Sequence, residues 1–246
     1  MSTEPKPNKR ERAEIDRLVQ YFSENHQLFD SVLEQLIPAL KNDQALSKVI
    51  HSLRWRVKDA DHLRDKLERK LSEAKSKKKR FLITPKNLFT KVNDLAGCRI
   101  LHLYTKQFEE IHRCLMRIFA EYKYALIEEP TAKTWDDESR EFFSGMGMKT
   151  EKSPSLYTSV HYVIAPNRTS RLTCEIQVRT LAEELWGEVD HTINYPHKSE
   201  SLPCREQIKV LARVTSSCTR LVDAIFISHD DHKEQAARQV ARKKRR

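Results

Sequence analysis

The amino-acid sequence predicts an α+β fold: a mixed β-sheet flanked by helices, with helical extensions at both ends. Three observations predict it. Apolar residues recur at three- and four-residue steps over 11–40, 43–74, 106–122, 180–193 and 203–228, the period of a helix with one buried face. Alternation at period two closes the segment 94–104 and runs through 157–164 and 172–178, the period of a half-buried strand. The resulting order, helix–helix–β–α–β–β–β–α–α, suits a sheet with helices packed around it.

The elements follow in order. Ile15, Leu18, Val19, Phe22, Leu28, Phe29, Val32, Leu33 and Leu36 predict a helix over 11–40, with Pro38 breaking it near its end. Leu46, Val49, Ile50, Leu53, Val57, Leu63, Leu67 and Leu71 predict a second helix over 43–74, with a kink or loop near Asp59–Asp61. The lysine-rich segment 75–90 reads as a loop, and 123–129 as a short strand after the helix 106–122. The polar segment 131–153, with Gly145 and Gly147, reads as a mobile loop. Strands 157–164 and 172–178, joined at Pro166-Asn167-Arg168, read as an antiparallel hairpin. Helices over 180–193 and 203–228 follow, and the chain from 229 reads as a polar, basic tail.

Composition narrows the function classes. No apolar run is long enough to span a membrane, and no apolar stretch follows the charged N-terminus as a secretory signal requires. The five cysteines are scattered without a Cys-x-x-Cys pair, which suits reduced thiols in a cytosolic protein. The net charge of +10 draws the chain to phosphate on nucleotides, nucleic acid or anionic lipid. Much of that excess lies in the runs Lys75–Arg80 and Arg242–Arg246, which read as solvated segments.

Four groups of residues carry candidate chemistry. Asp94 stands just before a strand, and Glu175 lies within one, where Glu175, Gln177 and Arg179 share a face opposite Ile176 and Val178. A carboxylate pair on a sheet suits a Mg²⁺ ion held against substrate phosphates; the bland alternative is a solvated strand with an internal ion pair. Arg54, Arg56, Lys58, Arg64 and Lys66 place cations on the expected second helix, either to clamp a triphosphate or simply as a charged surface. Tyr157, Ser159 and His161 share a strand face, with a ring for a base and polar groups for ribose or phosphate.

Taken together these residues form a pattern. Arg56-Val57-Lys58 with Lys66, then Asp94-Leu95-Ala96-Gly97-Cys98-Arg99, then Tyr157-Thr158-Ser159-Val160-His161, then Glu175-Ile176-Gln177-Val178-Arg179-Thr180 with Trp186, Glu188, His191 and Tyr195, resemble the synthetase domain of RelA/SpoT-type alarmone synthetases. The resemblance implies a nucleotidyltransferase-like synthetase domain over 45–200, a helical extension over 1–44, and a C-terminal helix with a basic tail over 201–246. It implies a Mg²⁺-dependent pyrophosphokinase that transfers the β,γ-pyrophosphate of ATP to the 3′-hydroxyl of GDP or GTP. In that reading Asp94 and Glu175 are the metal-binding and catalytic carboxylates. Arg56, Lys58, Lys66 and Arg99 contact ATP, and Tyr157, His161, Gln177 and Arg179 serve the acceptor, with Tyr157 stacked on its base.

The sequence departs from the family on the acceptor side: Leu156 replaces a glycine, and the usual lysine-rich strings are missing from 140–156, where Lys149 and Lys152 are the substitutes. The acceptor is therefore open among GDP, GTP, an adenosine nucleotide and the 3′ end of tRNA. A non-catalytic RNA-binding module is the alternative from another class. With no hydrolase motif and no regulatory region evident, the chain is similar to the synthetase-only members. Helix 203–228 is expected either to pack on its own domain or to join copies of the chain in a homo-oligomer.

Overall fold

In the computed structural model, residues 7–195 and 198–244 are described. The first six residues of the polar N-terminus, Pro196 and His197, and the last two of the basic tail lie outside the described residues. The N-terminal apolar stripe forms two helices, α1 (Lys9–Glu24) and α2 (His26–Asn42). The expected single helix breaks at Asn25, not at Pro38. The Asn25 side chain donates to the Tyr21 carbonyl at 2.7 Å, and its amide turns back to Phe22, while Pro38 sits inside α2.

The segment expected as one helix over 43–74 is a helix, a strand and a helix: α3 (Gln44–Val49), β1 (Ser52–Val57) and α4 (Ala60–Ser76). Two aspartates punctuate it. Asp43 caps α3 through the Leu46 amide, and Asp59 caps α4 through the His62 amide. Leu53 and Val57 fit both a helical and a period-two spacing, and pairing with the next strand decides for the strand. The lysine-rich stretch expected as a loop partly extends α4, which ends with Lys78 at φ 52°.

After α5 (Leu88–Lys91) come β2 (Ala96–His102), α6 (Gln107–Glu121) and β3 (Ala125–Leu126). The segment expected as a mobile loop is ordered as β4 (Thr131–Thr134), α7 (Asp137–Gly145) and β5 (Lys149–Lys152). Asp136 caps α7 through the Ser139 amide, and Phe143 is buried beneath it. Gly147, at φ 76°, ends α7 in a Schellman motif: its amide bonds to the Ser144 carbonyl, and the next amide bonds to Phe143. The glycine therefore stops a helix.

The chain continues with β6 (Ser159–Ala165), β7 (Cys174–Thr180), α8 (Leu181–Asn194) and α9 (Leu202–Lys244). Sheet order is β1-β2-β7-β6-β4-β5, with β3 also on β6. The β2/β7 and β4/β5 pairs are parallel and the others antiparallel, so the expected β6/β7 hairpin is present. One continuous core joins Ile15 on α1 and Leu36 on α2 to Ile100, Ile176 and Val178 on the sheet.

A smaller cluster of Trp186, Ile208 and Ala212 fastens α9 to α8, and the Trp186 indole donates to the Ile208 carbonyl at 3.0 Å. The helix expected over 203–228 runs on through the segment expected as a tail. Its apolar residues divide between two opposite sides. Ile208 and Ala212 are buried, and Phe226 stacks on Tyr104 at 4.0 Å, while Val210, Val214, Leu221 and Ile225 face outward and are exposed.

Candidate active site

Strand register gathers the candidate residues on one face. Arg54 pairs with Arg99, Arg99 with Gln177, Gln177 with His161, His161 with Thr131 and Thr131 with Lys149. Paired residues project to the same side of a sheet, so these form one polar row. The next row holds Arg56, Gly97, Glu175 and Val163, and the absent side chain at Gly97 opens the floor between Arg56 and Glu175. Cys98, Ile176 and Tyr162 face the other way, into the core. Arg54, Arg56 and Lys58 thus belong to an edge strand and its end, not to the helix the sequence suggested.

Asp94 lies between two cations. The Lys58 amide continues the β1/β2 pairing by donating to the Leu95 carbonyl at 2.8 Å, which brings its side chain beside Asp94. Lys58 Nζ stands 3.2 Å from Asp94 Oδ2, and Lys66 Nζ reaches 2.6 Å from Oδ1 from the second turn of α4. Burial opposes the Asp94 charge, but Lys66 and Lys58 outweigh it and hold the carboxyl below its ordinary value. Burial in turn lowers the Lys58 ammonium despite Asp94.

Glu175 is held by side chains rather than by lysines. Its Oε1 meets His161 Nδ1 at 2.8 Å, and its Oε2 accepts from Gln177 Nε2 at 2.7 Å. Burial raises its carboxyl, and the His161 contact and Gln177 more than reverse that, even against the nearby Asp94 charge.

Behind this row is a third carboxylate, buried Glu184 on α8. Its Oε2 is 2.5 Å from Arg179 Nη2, its Oε1 is 3.1 Å from Arg99 Nη1, and Arg99 also pairs with Glu188. Thr180 and Glu183 form the capping box of α8, which leaves Glu184 free to turn toward the sheet.

Two clefts lie over this face. One, of about 330 Å³, is lined by Arg54, Arg56, Lys58, Arg99, Gln177 and His191 among others. The second, of about 490 Å³, is lined by Lys66, Lys70, Lys91, Lys133 and Lys149, by the carboxylates Glu128, Glu129 and Glu151, and by His161 among others. Asp94 and Glu175 line both. No cluster of three or more His, Cys, Asp or Glu side chains suited to a metal occurs among the described residues, so an ion here would rest on two protein carboxylates.

A family profile described as the region found in RelA and SpoT proteins matches residues 55–200, more than half of the chain. The chain belongs to the RelA/SpoT family. Its fold is that of small alarmone synthetases. Small alarmone synthetase 1 from Bacillus subtilis bound to its product pppGpp superposes with a TM-score of 0.56 at 20% identity, covering 82% of this chain and 93% of that one. A GTP pyrophosphokinase family protein from Streptococcus pneumoniae gives 0.58 at 19% identity, covering 88% and 94%. The Bacillus protein bound to AMPCPP gives 0.54 at 17% identity, covering 82% and 95%. Comparison with curated protein sequences finds no match. No helix among the described residues is long and apolar enough to cross a membrane.

The structure brings Asp94, Glu175, Arg56, Lys58, Lys66, Arg99, His161 and Gln177 together around the two clefts. It brings Tyr157 and Arg179 to neither lining. Tyr157 precedes β6 and packs inward, and Arg179 is buried against Glu184. Gln177, expected on the acceptor side, lines the same cleft as Arg56, and Lys66, expected with ATP, lines the other. Glu184 was missed, although its four-residue step to Glu188 puts the two on one helix face. Lys91 and Lys133 were missed because they lie on separate elements with no shared spacing, whereas Lys70 stands one helical turn beyond Lys66 on α4.

Glu184→Gln removes the charge that compensates buried Arg179. The variant is expected to be less stable by about 3–5 kcal/mol, measured by urea unfolding at neutral pH. A change within ~0.5 kcal/mol would show that the pair does not hold α8 to the sheet.

Proposed function

We propose that this chain is a pyrophosphokinase that transfers the β,γ-pyrophosphate of ATP to the 3′-hydroxyl of GDP or GTP. The observation that carries this reading is the meeting at Asp94 and Glu175 of two clefts that each bear several lysine or arginine side chains among their carboxylates. A two-substrate phosphoryl transfer needs two polyphosphate sites with their reacting atoms in contact. The arginine-walled cleft suits ATP, because guanidinium planes both stack on a purine and fork onto phosphate. The lysine-walled cleft suits the acceptor's terminal phosphates, with Lys149 on β5 among its walls. The solved relatives bound to pppGpp and to AMPCPP carry ligands of these two kinds.

The all-oxygen donor pair Asp94 and Glu175 fits a Mg²⁺ ion, which takes one or two protein carboxylates and fills its shell with phosphate and water. Bound there, the ion would neutralise phosphate charge as the pyrophosphate moves. The chain's own residues do the rest. Lys58 and Lys66 hold Asp94 ionised and stand ready for phosphate oxygens, and Arg56 and Arg99 orient the nucleotide. The acceptor 3′-oxygen forms a bond to the β-phosphorus, the bond from that phosphorus to the α,β-bridging oxygen breaks, and AMP leaves with the electron pair. The hydroxyl proton passes to Glu175, whose ionised state makes it the base.

Self-association through α9 accompanies this proposal. Val210, Val214, Leu221 and Ile225 are spaced so that the stripe reads the same from either end. An antiparallel pairing with a second copy sets Val210 against Ile225 and Val214 against Leu221, the self-complementary contact of a two-fold dimer. Light scattering at micromolar concentration is expected to give a dimer or a multiple of it, reduced to monomer by Val214→Glu with Leu221→Glu. A monomeric wild-type chain would contradict the pairing.

The reaction is tested with γ-labelled ATP and Mg²⁺, offering GDP, GTP, AMP, ATP and tRNA separately. Label is expected on GDP or GTP. Glu175→Gln is expected to lower turnover at least ~100-fold with the fold intact, and Asp94→Asn to weaken the Mg²⁺ response. Label on tRNA alone would replace the acceptor, and near-normal turnover of Glu175→Gln would remove the base.

A further inference from the structure

A carboxylate interrupts the lysines on the sheet side of the second cleft. Lys149 and Glu151 lie two residues apart on β5 and project to the cleft, while Lys152 falls on the opposite face and does not line it. Glu151 Oε1 is 3.2 Å from Lys149 Nζ. The register partner of Glu151 on β4 is Lys133, one strand away at about 4.8 Å. Glu151 therefore stands with both lysines that the sheet gives this cleft, paired with one and beside the other. The remaining lysines come from helices. Lys66 on α4 is engaged with Asp94, whereas Lys70 on α4, Lys91 on α5 and Lys133 have no ion-pair partner among the described residues.

Position along the sheet says which part of an acceptor these groups meet. β5 is the third strand out from β7 in the order β7-β6-β4-β5, roughly 14 Å away at the usual strand spacing. With a 3′-hydroxyl at Glu175 on β7, the side chains of β5 lie nearest the far end of a 5′-polyphosphate.

We propose that Glu151 is a specificity-determining residue that makes guanosine diphosphate a better-bound acceptor than the triphosphate, by occupying Lys149 and opposing a third phosphate at the outer end of the cleft. This deepens the pyrophosphokinase reading and rests on it.

The charges support the selection. A nucleoside diphosphate carries about three negative charges at neutral pH and a triphosphate about four, because the terminal group bears up to two. Lys70, Lys91 and Lys133 balance the diphosphate. The further charge has Lys149 left to meet, and Glu151 already engages it. Glu128 and Glu129 line the same cleft and add to the repulsion, with Glu128 held by Asn93 Nδ2 at 2.7 Å. The Lys149–Glu151 pair is about half exposed, so water and salt screen it, and its effect is a several-fold bias and not an exclusion.

Calorimetric titration of GDP and GTP into the protein, saturated with Mg²⁺ and an ATP analogue that cannot transfer its pyrophosphate, reads this selection without turnover. The wild-type chain is expected to bind GDP about fivefold more tightly than GTP, the scale of one screened charge at an exposed pair. In Glu151→Gln, GTP is expected to bind about fivefold more tightly than before and GDP to stay within about twofold, so the preference disappears. Combining Glu151→Gln with Lys149→Met removes both charges and is expected to restore the wild-type preference, because the gain runs through Lys149. GTP bound as tightly as GDP by the wild-type chain would overturn the proposal. So would unchanged GTP binding in Glu151→Gln, an equal gain for both nucleotides, or a gain that survives the loss of Lys149. The transfer assay separates this claim from the reading beneath it. Transfer with equal kcat/KM for GDP and GTP defeats the selection alone. The expected binding preference without any transfer defeats the reaction and leaves the selection at the cleft standing. A chain that binds neither nucleotide defeats both.

Discussion

A carboxylate set below a protein surface stays charged only where cations or hydrogen-bond donors stand close enough to replace water. The site depends on meeting that condition twice, by two different means. Asp94 is held by the ammonium groups of Lys58 and Lys66, one from the end of β1 and one from α4. Glu175 is held by His161 and Gln177, neighbours across the β6/β7 pair. The first arrangement is electrostatic and exchangeable, since a lysine can move to a phosphate. The second is directional and fixes geometry. A metal-binding group suits the first environment, and a base that must meet a hydroxyl at one angle suits the second.

The register that aligns these groups is itself stabilised from behind. Glu184 bridges Arg99 on β2 and Arg179 on β7, so α8 ties together the two parallel strands that carry the central residues. Gly187, one turn further on, has no room for a side chain: a Cβ there would lie 2.7 Å from the Arg179 guanidinium. Arg179 is held by Glu184 in the space that Gly187 leaves, and its guanidinium lies over the Tyr157 ring. Packing on the α8 and α9 side therefore reaches Glu175 through a short chain of contacts.

Much of this was legible in the residues. The alternation in 172–178 put Glu175, Gln177 and Arg179 on one face, and β7 has that arrangement. The β6/β7 hairpin and the position of Asp94 before its strand were equally readable. β1 was not, because Leu53 and Val57 satisfy helical and strand periods alike, and the deciding fact is a pairing with β2, distant in sequence. The segment 131–153 lacks an apolar pattern because its buried residues other than Ala132 and Phe143 are polar, Thr131, Thr134, Asp136 and Ser153; its order comes from caps and strand pairing. Leu156, at φ 55°, and Tyr157 pack together against the Trp186 cluster, and the gathering of Lys91, Lys133 and Lys149 with α4 around one cleft follows from topology. Neither leaves a local spacing to read.

In the proposed reaction, donor and acceptor occupy two clefts that meet at one carboxylate pair. Calorimetric titration of the wild-type chain with Mg²⁺ and a non-hydrolysable ATP analogue, then with GDP on the saturated protein, tests it most directly. Both nucleotides are expected to bind together, with Arg56→Ala weakening the ATP analogue alone and Lys149→Ala weakening GDP alone. Mutual displacement at a single site, or loss of both ligands in both variants, would contradict the two-cleft account.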